Sequence, residues 1–203
     1  EISNFASIRG MQLNPKKCKE MIISFLNHNY TCFAPIFISG FPVEVVSTFK
    51  LLGVILSNDL TWPAHVDYIL KKANSRLYTL RKLRRAGLNQ SDLVNVYCSL
   101  VRTCLEYASL SWASLSATLS EDIESLQRRA LRIIYPDLSY MDALLVSGLD
   151  TLANNRHECC MKFISKVREC KYNNNPLVNI VKEASYDPIH EYNLRNNNPI
   201  KLL

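Results

Sequence analysis

The sequence predicts an α+β fold, predominantly helical, in which a short N-terminal β-hairpin region leads into a helical bundle. Three observations predict it. In the first sixty residues, Gly40, Pro42 and Asn58-Asp59 punctuate short runs of β-branched and aromatic residues. From Pro63 onward apolar residues recur at spacings of three and four, the period of an amphipathic helix. With 48% apolar residues the 203-residue chain can bury a sizeable core, while five Gly and eight Pro are too few for a loop-rich sandwich. The same composition argues against disorder, and the longest apolar runs, MII and LLGVIL, fall far short of a membrane span.

Taken in order, a short helical end closes at Gly10, and three β-like runs follow: MIISF (21–25), PIFIS (35–39) and TFKLLGVILS (48–57). A long helix is expected over 61–86. Pro63 suits its first turn, and Val66, Ile69, Leu70, Ala73, Leu77 and Leu80 form its buried stripe, with Gly87 as the stop. A second helix after 89–91 shows a wide apolar face of Leu93, Val96, Tyr97, Leu100, Val101, Cys104, Leu105 and Ala108. A third begins at Thr118, where T-L-S-E sets Glu121 three residues after a capping Thr, and runs to Pro136. A short helix over 140–146 and a longer one over 152–170 complete the pattern. The expected domains are 1–60 with hairpins, 61–171 helical, and 172–203 irregular, where NNNP occurs twice but is too short for a repeat. The chain opens without Met in what reads as the end of a helix and stops after IKLL, so a truncation is expected.

Charge is distributed unevenly. The 61–86 helix carries seven Lys and Arg against Asp67, a balance of +6 that equals the net charge of the whole chain. Lys71, Lys72, Arg76, Arg81, Lys82 and Arg85 are therefore the candidate nucleic-acid-binding residues, a phosphate backbone being the natural partner of such a stripe. Arg84 falls within the apolar arc, which suggests that the stripe ends near Leu83. Arg128, Arg129 and Arg132 add charge on the exposed side of the third helix. Tyr68 and Tyr78 are candidates for stacking on a ribose or base, although such tyrosines more often straddle a core edge. The alternative for the whole helix is a solvated, solubilising face.

Seven Cys at irregular spacing suggest no disulfide framework, and an intracellular setting, nucleus or cytoplasm, is expected, with thiols acting as small buried hydrophobes. No metal site is expected: His157, Cys160 and Cys170 lack the paired ligand sets of structural zinc. His65, Asp67 and His190 match the His-X-Asp…His pattern of iron and 2-oxoglutarate dioxygenases on paper, yet residues two apart on a helix point away from each other. The same stretch can attract an AlkB-type label through a shared N-terminal segment, but no dioxygenase core is readable. Neither a Gly-X-Ser-X-Gly elbow nor a Cys-His pairing is present.

LNPKKCKEMIISF, FKLLGVILSNDLTWPAHVDYILKKANSRLYTLRKLRRAGL, YCSLVRTCLEYASLSW and IESLQRRALRIIY, in this order, resemble the C-terminal part of a non-LTR (LINE-type) retrotransposon reverse transcriptase over residues 10–170. The resemblance implies the end of a polymerase palm, with Lys17 or Lys19 near the incoming nucleotide. It also implies a primer-supporting hairpin of Phe49, Lys50, Leu51, Leu52 and Gly53, and a helical thumb that clamps a template-primer duplex. In that family the position of Leu51 is often Tyr. The family's Mg²⁺ ions are held by paired carboxylates in an upstream Tyr-X-Asp-Asp turn and an earlier Asp. This chain contains no Asp-Asp, so it is expected to hold no cofactor and no catalytic residue, and to be inactive as a polymerase without the missing upstream domains. The expected role is sequence-independent binding of an RNA/DNA template-primer duplex, with no membrane partner. The alternatives are a degenerate retroelement remnant, or a helical protein-interaction module using an exposed apolar surface. Lys17, Lys19 and Lys50 also fit a plain reading as strand-edge lysines that discourage aggregation.

Overall fold

The computed structural model describes residues 2–24 and 34–169. The chain divides into two compact units, Glu1–Leu152 and Ala153–Leu203. The fold is α+β and predominantly helical, as the sequence predicts.

In the first unit, α1 (Ile2–Ile8) is followed by a 3-10 turn, Pro15–Lys17, capped by Asn14, whose side chain accepts from the Lys16 N–H at 3.0 Å. Strand β1 (Lys19–Glu20) pairs in parallel with β4 (Glu44–Val45). Between them β2 (Phe37–Ile38) and β3 (Phe41–Pro42) form a tight hairpin. A larger hairpin joins β5 (Thr48–Leu51) to β6 (Val54–Ser57), with Thr48 opposite Ser57 and Leu51 opposite Val54. Its two turn residues, Leu52 and Gly53, have φ of 47° and 90°, the left-handed pair that matches the twist of the strands. The run MIISF departs from expectation: residues 21–24 form no strand, and residue 25 lies outside the described residues. The pairing that forms instead uses Lys19 and Glu20, where the Lys19 ammonium meets the Glu44 carboxylate across the two strands.

Helix α2 (Pro63–Arg85) follows, with Pro63 in its first turn. It ends in a Schellman motif. The Leu88 N–H donates to the Leu83 carbonyl at 3.2 Å and the Gly87 N–H to that of Arg84 at 3.0 Å, with Gly87 at φ 89°. Asn89 caps α3 (Gln90–Val96) by accepting from the Asp92 N–H at 2.8 Å. The helical path continues without a break through a π-helical stretch, Tyr97–Arg102, into α4 (Thr103–Glu106). The most deeply buried residues here step by four, Leu93, Tyr97, Val101 and Leu105. An α-helix would rotate such a row by about 40° per step, and the wider i→i+5 turn holds it on one side. Leu100, expected on the apolar face, is consequently 39% exposed.

After a 3-10 turn, Ser109–Trp112, comes α5 (Ala117–Ile134). Its cap is Ser116, accepting from the Leu119 N–H at 3.3 Å, in place of the Thr118 expected from T-L-S-E. Glu121 is thereby freed to pair with Arg128. α6 (Tyr140–Ser147) is capped by Ser139 and stopped by Gly148. Helices α2 and α5 pack together at the centre of a core that includes Leu77, Leu80, Leu105, Trp112, Ile123, Leu126 and Leu131. Within that core Gln127 accepts from the Tyr97 hydroxyl at 2.6 Å and donates to the Tyr140 hydroxyl at 3.0 Å and the Asp150 carbonyl at 3.1 Å. Glu124 accepts from the Leu152 N–H at 3.0 Å and from Tyr140. Burial pushes the hydroxyl of Tyr97 well above its ordinary range, and burial with the Glu124 contact does the same for Tyr140, so both remain neutral donors.

In the second unit the described residues belong to α7 (Leu152–Glu169), which carries an i, i+4 ion pair of Glu158 and Lys162 at 3.0 Å. Cys170, His190 and the region expected to be irregular lie outside the described residues. Among the described residues, no helix is long and apolar enough to cross a membrane.

Candidate nucleic-acid interface

Two basic hollows flank α2. At about 100° per residue, the buried His65, Val66, Ile69, Ala73, Leu77 and Leu80 occupy one side of the helix. Lys72 and Arg76 border that stripe on one flank, and Arg81, Arg84 and Arg85 on the other. Lys71 and Lys82 stand on the solvent crest between them, Lys82 lying 4.8 Å over the ring of Tyr78. The six cations predicted from the sequence are thus separated into distinct surfaces.

On the first flank of interest, Arg81, Arg84 and Arg85 meet Arg129, Arg132 and Ile133 of α5 around a concave surface of about 590 Å³. The Arg84 guanidinium donates to the Ile133 carbonyl, which ties together the last turns of α2 and α5. None of the five arginines has an ion-pair partner among the described residues. Two helix C-termini offset the charge by about half a unit each, leaving about four positive charges uncompensated. Arg84, Arg129 and Arg132 were outside the predicted set. Arg84 is exposed although its angle lies within the apolar arc, because the buried stripe runs out after Leu80 and Leu83. The i, i+3 pair Arg129 and Arg132 was a readable signal, but only the packing of α2 on α5 brings it to Arg81.

The other hollow, of about 480 Å³, lies where α2 meets the β5–β6 hairpin and α4, and is lined by Lys50, Lys72, Arg76, Tyr68 and Tyr107 among others. Lys50 Nζ donates to the Tyr68 hydroxyl at 2.8 Å and sits 4.4 Å over its ring. That hydrogen bond lowers the Tyr68 hydroxyl below its ordinary range. Arg76 reaches the Leu100 carbonyl in the π-helical stretch. Of the hairpin residues, Phe49, Leu51 and Leu52 are exposed and Gly53 sits beneath Tyr107. A Cβ at Gly53 would come 3.1 Å from Tyr107 Cε1. Lys17 is exposed on its 3-10 turn and lines neither basic hollow, while Lys19 is held by Glu44.

His65 and Asp67 do not converge. His65 is fully buried among the rings of Trp62, Tyr68 and Trp112, whereas Asp67 is exposed. His65 Nδ1 accepts from the Ile55 N–H at 3.2 Å, which fastens the hairpin to α2 and leaves the hydrogen on Nε2. Burial lowers the imidazole below its ordinary value. Since the unfolded chain protonates first, at about pH 6.5, stability is expected to be level above that value and to fall as pH drops toward the folded pKa. The slope attributable to this residue is at most about 1.4 kcal/mol per pH unit. Denaturant midpoints measured between pH 5 and 8 should show it in the native protein and lose it in His65→Asn; equal slopes in both would refute it. Among the described residues, no group of three His, Cys, Asp or Glu is placed to hold a metal ion.

The family model described as alkylated DNA repair protein alkB homolog 8, N-terminal, matches residues 62–103, from Trp62 through α2 and α3 to the first residue of α4. The match spans well under half of the chain. No curated protein and no solved structure matches it. The family finding overturns the resemblance to a LINE-type reverse transcriptase, and with it the polymerase, retrotransposon and thumb assignments. The blocks that carried that resemblance have folding roles of their own. FKLLGV makes a tight turn under Tyr107, LEYASLSW supplies buried Leu105 and Trp112, and LQRRALRII supplies buried Leu126, Gln127, Ala130, Leu131 and Ile134. Such packing requirements are not specific to one activity.

Proposed function

We propose that this chain is a nucleic-acid-binding helical domain that holds a phosphate backbone, without reading base sequence, in the arginine hollow between α2 and α5. The observation that carries the reading is the meeting of five arginines from two helices around one concave surface, with no carboxylate partner among the described residues. A fold built for stability alone gains nothing from that repulsion. Planar guanidiniums with several donors each are suited to phosphate oxygens, and counterions released on contact would drive the association. The family matched over residues 62–103 is described as an alkylated DNA repair protein, which agrees with a nucleic-acid partner. The exposed Lys71 and Lys82 on the crest of α2 extend the positive field toward the same partner.

The test is a titration of a labelled duplex at several salt concentrations. If each arginine meets one phosphate, log Kobs should fall with log salt at a slope of about −4.5 for a B-form duplex. Arg129→Gln/Arg132→Gln should reduce the steepness by about 1.8 and weaken different duplex sequences alike. Salt-independent binding, or an unchanged slope in the double variant, would remove the reading.

A further inference from the structure

From the second hollow, on the other flank of α2, we infer that the protein also captures a single unstacked nucleotide, with the base on the ring of Tyr107 and the phosphate among Lys50, Lys72 and Arg76. The inference rests on the nucleic-acid reading above and names a second, chemically different subsite for it. Tyr107 is 55% exposed, yet its position is fixed. Its hydroxyl donates to the Leu52 carbonyl at 3.0 Å, its ring lies against Gly53, and its own carbonyl accepts from the Trp112 indole at 3.0 Å. A ring held at its hydroxyl, on a residue more than half exposed, is a preorganised platform for a base, since every base offers a π face.

Of the cations beside it, Lys50 reaches the Tyr68 hydroxyl and Arg76 the Leu100 carbonyl, contacts that leave their charge in place. Lys50, Lys72 and Arg76 have no carboxylate partner among the described residues, and Lys72 is exposed. The hairpin is fastened to α2 by the Ile55 N–H on His65 and by Lys50 on Tyr68, so Lys72 is not needed for that contact. The remaining charge faces a hollow of about 480 Å³, room for a nucleotide and not for a duplex. Aromatic faces alternating with Lys and Arg along a groove are the usual apparatus for single strands, whereas the arginine hollow offers charge without an aromatic platform.

The full chain should therefore bind a labelled 12-nucleotide single-stranded DNA more tightly than the blunt duplex of the same sequence. Tyr107→Leu should weaken single-strand binding by about 5- to 150-fold and leave duplex binding unchanged, while Tyr107→Phe should retain single-strand affinity. Lys50→Gln/Lys72→Gln, which alters two exposed side chains, should weaken the single strand and lower its salt slope by about 1.4. If Tyr107→Leu loses both ligands through misfolding, the lysine variant decides. Single-strand affinity unchanged in that variant would overturn the subsite. Duplex binding that stays salt-dependent while the subsite fails would leave the arginine hollow standing; absence of both from the native protein would sink that reading first.

Discussion

Replacing Trp112 with alanine is expected to cost about 3–5 kcal/mol of unfolding free energy. The indole is completely buried, packs 5.2 Å from the His65 ring, and donates its N–H to the Tyr107 carbonyl. Truncation removes apolar burial, opens a cavity beside α2, and leaves a carbonyl without its donor. Trp112→Phe separates these effects, since it keeps most of the volume and loses the hydrogen bond. Urea midpoints of the three proteins provide the measurement. A loss under about 1 kcal/mol for the alanine variant would contradict the packing described for the 3-10 turn.

Gln127→Leu is expected to cost about 2–4 kcal/mol, although it replaces a polar residue with an apolar one in the core. Gln127 is completely buried and is the common partner of the Tyr97 hydroxyl, the Tyr140 hydroxyl and the Asp150 carbonyl. With leucine there, the Tyr97 hydroxyl is buried without an acceptor. The companion variant Tyr97→Phe/Gln127→Leu removes both ends of that bond and should recover about 1–2 kcal/mol relative to the sum of the single changes. Additive losses in this double-mutant cycle would show that the network is incidental to stability.

Where local rules suffice, the sequence was legible. The stripe from Val66 to Leu80 is a three-and-four repeat, and its burial follows from period alone. The stop at Gly87 needed only the left-handed preference of glycine. Legibility failed where two local signals competed. Ser116 and Thr118 both offer a hydroxyl to the start of α5, and the earlier residue takes the cap. MIISF has strand composition but forms no strand over 21–24, because composition does not supply a partner strand. The candidate site was legible by half. Net charge marked α2, the helix that lines both hollows, yet neither the split of its cations between them nor the recruitment of Arg129, Arg132 and Tyr107 can be read from α2. These depend on tertiary packing between segments tens of residues apart. The family resemblance failed for a related reason: several of the residues quoted for it, Leu105, Trp112, Leu126 and Leu131 among them, serve packing, which is not specific to one activity.

The π-helical stretch over Tyr97–Arg102 sets more than a row of buried side chains. A π turn is an α-helix carrying one surplus residue, and everything beyond it is turned by about 100° from where an uninterrupted helix would place it. Thr103, Cys104 and Tyr107 come after that turn and line the hollow; the carbonyl that receives Arg76 lies within it. The orientation of the hollow toward the hairpin is therefore fixed by the number of residues in the chain, which no substitution of a single side chain can alter and which a one-residue deletion would.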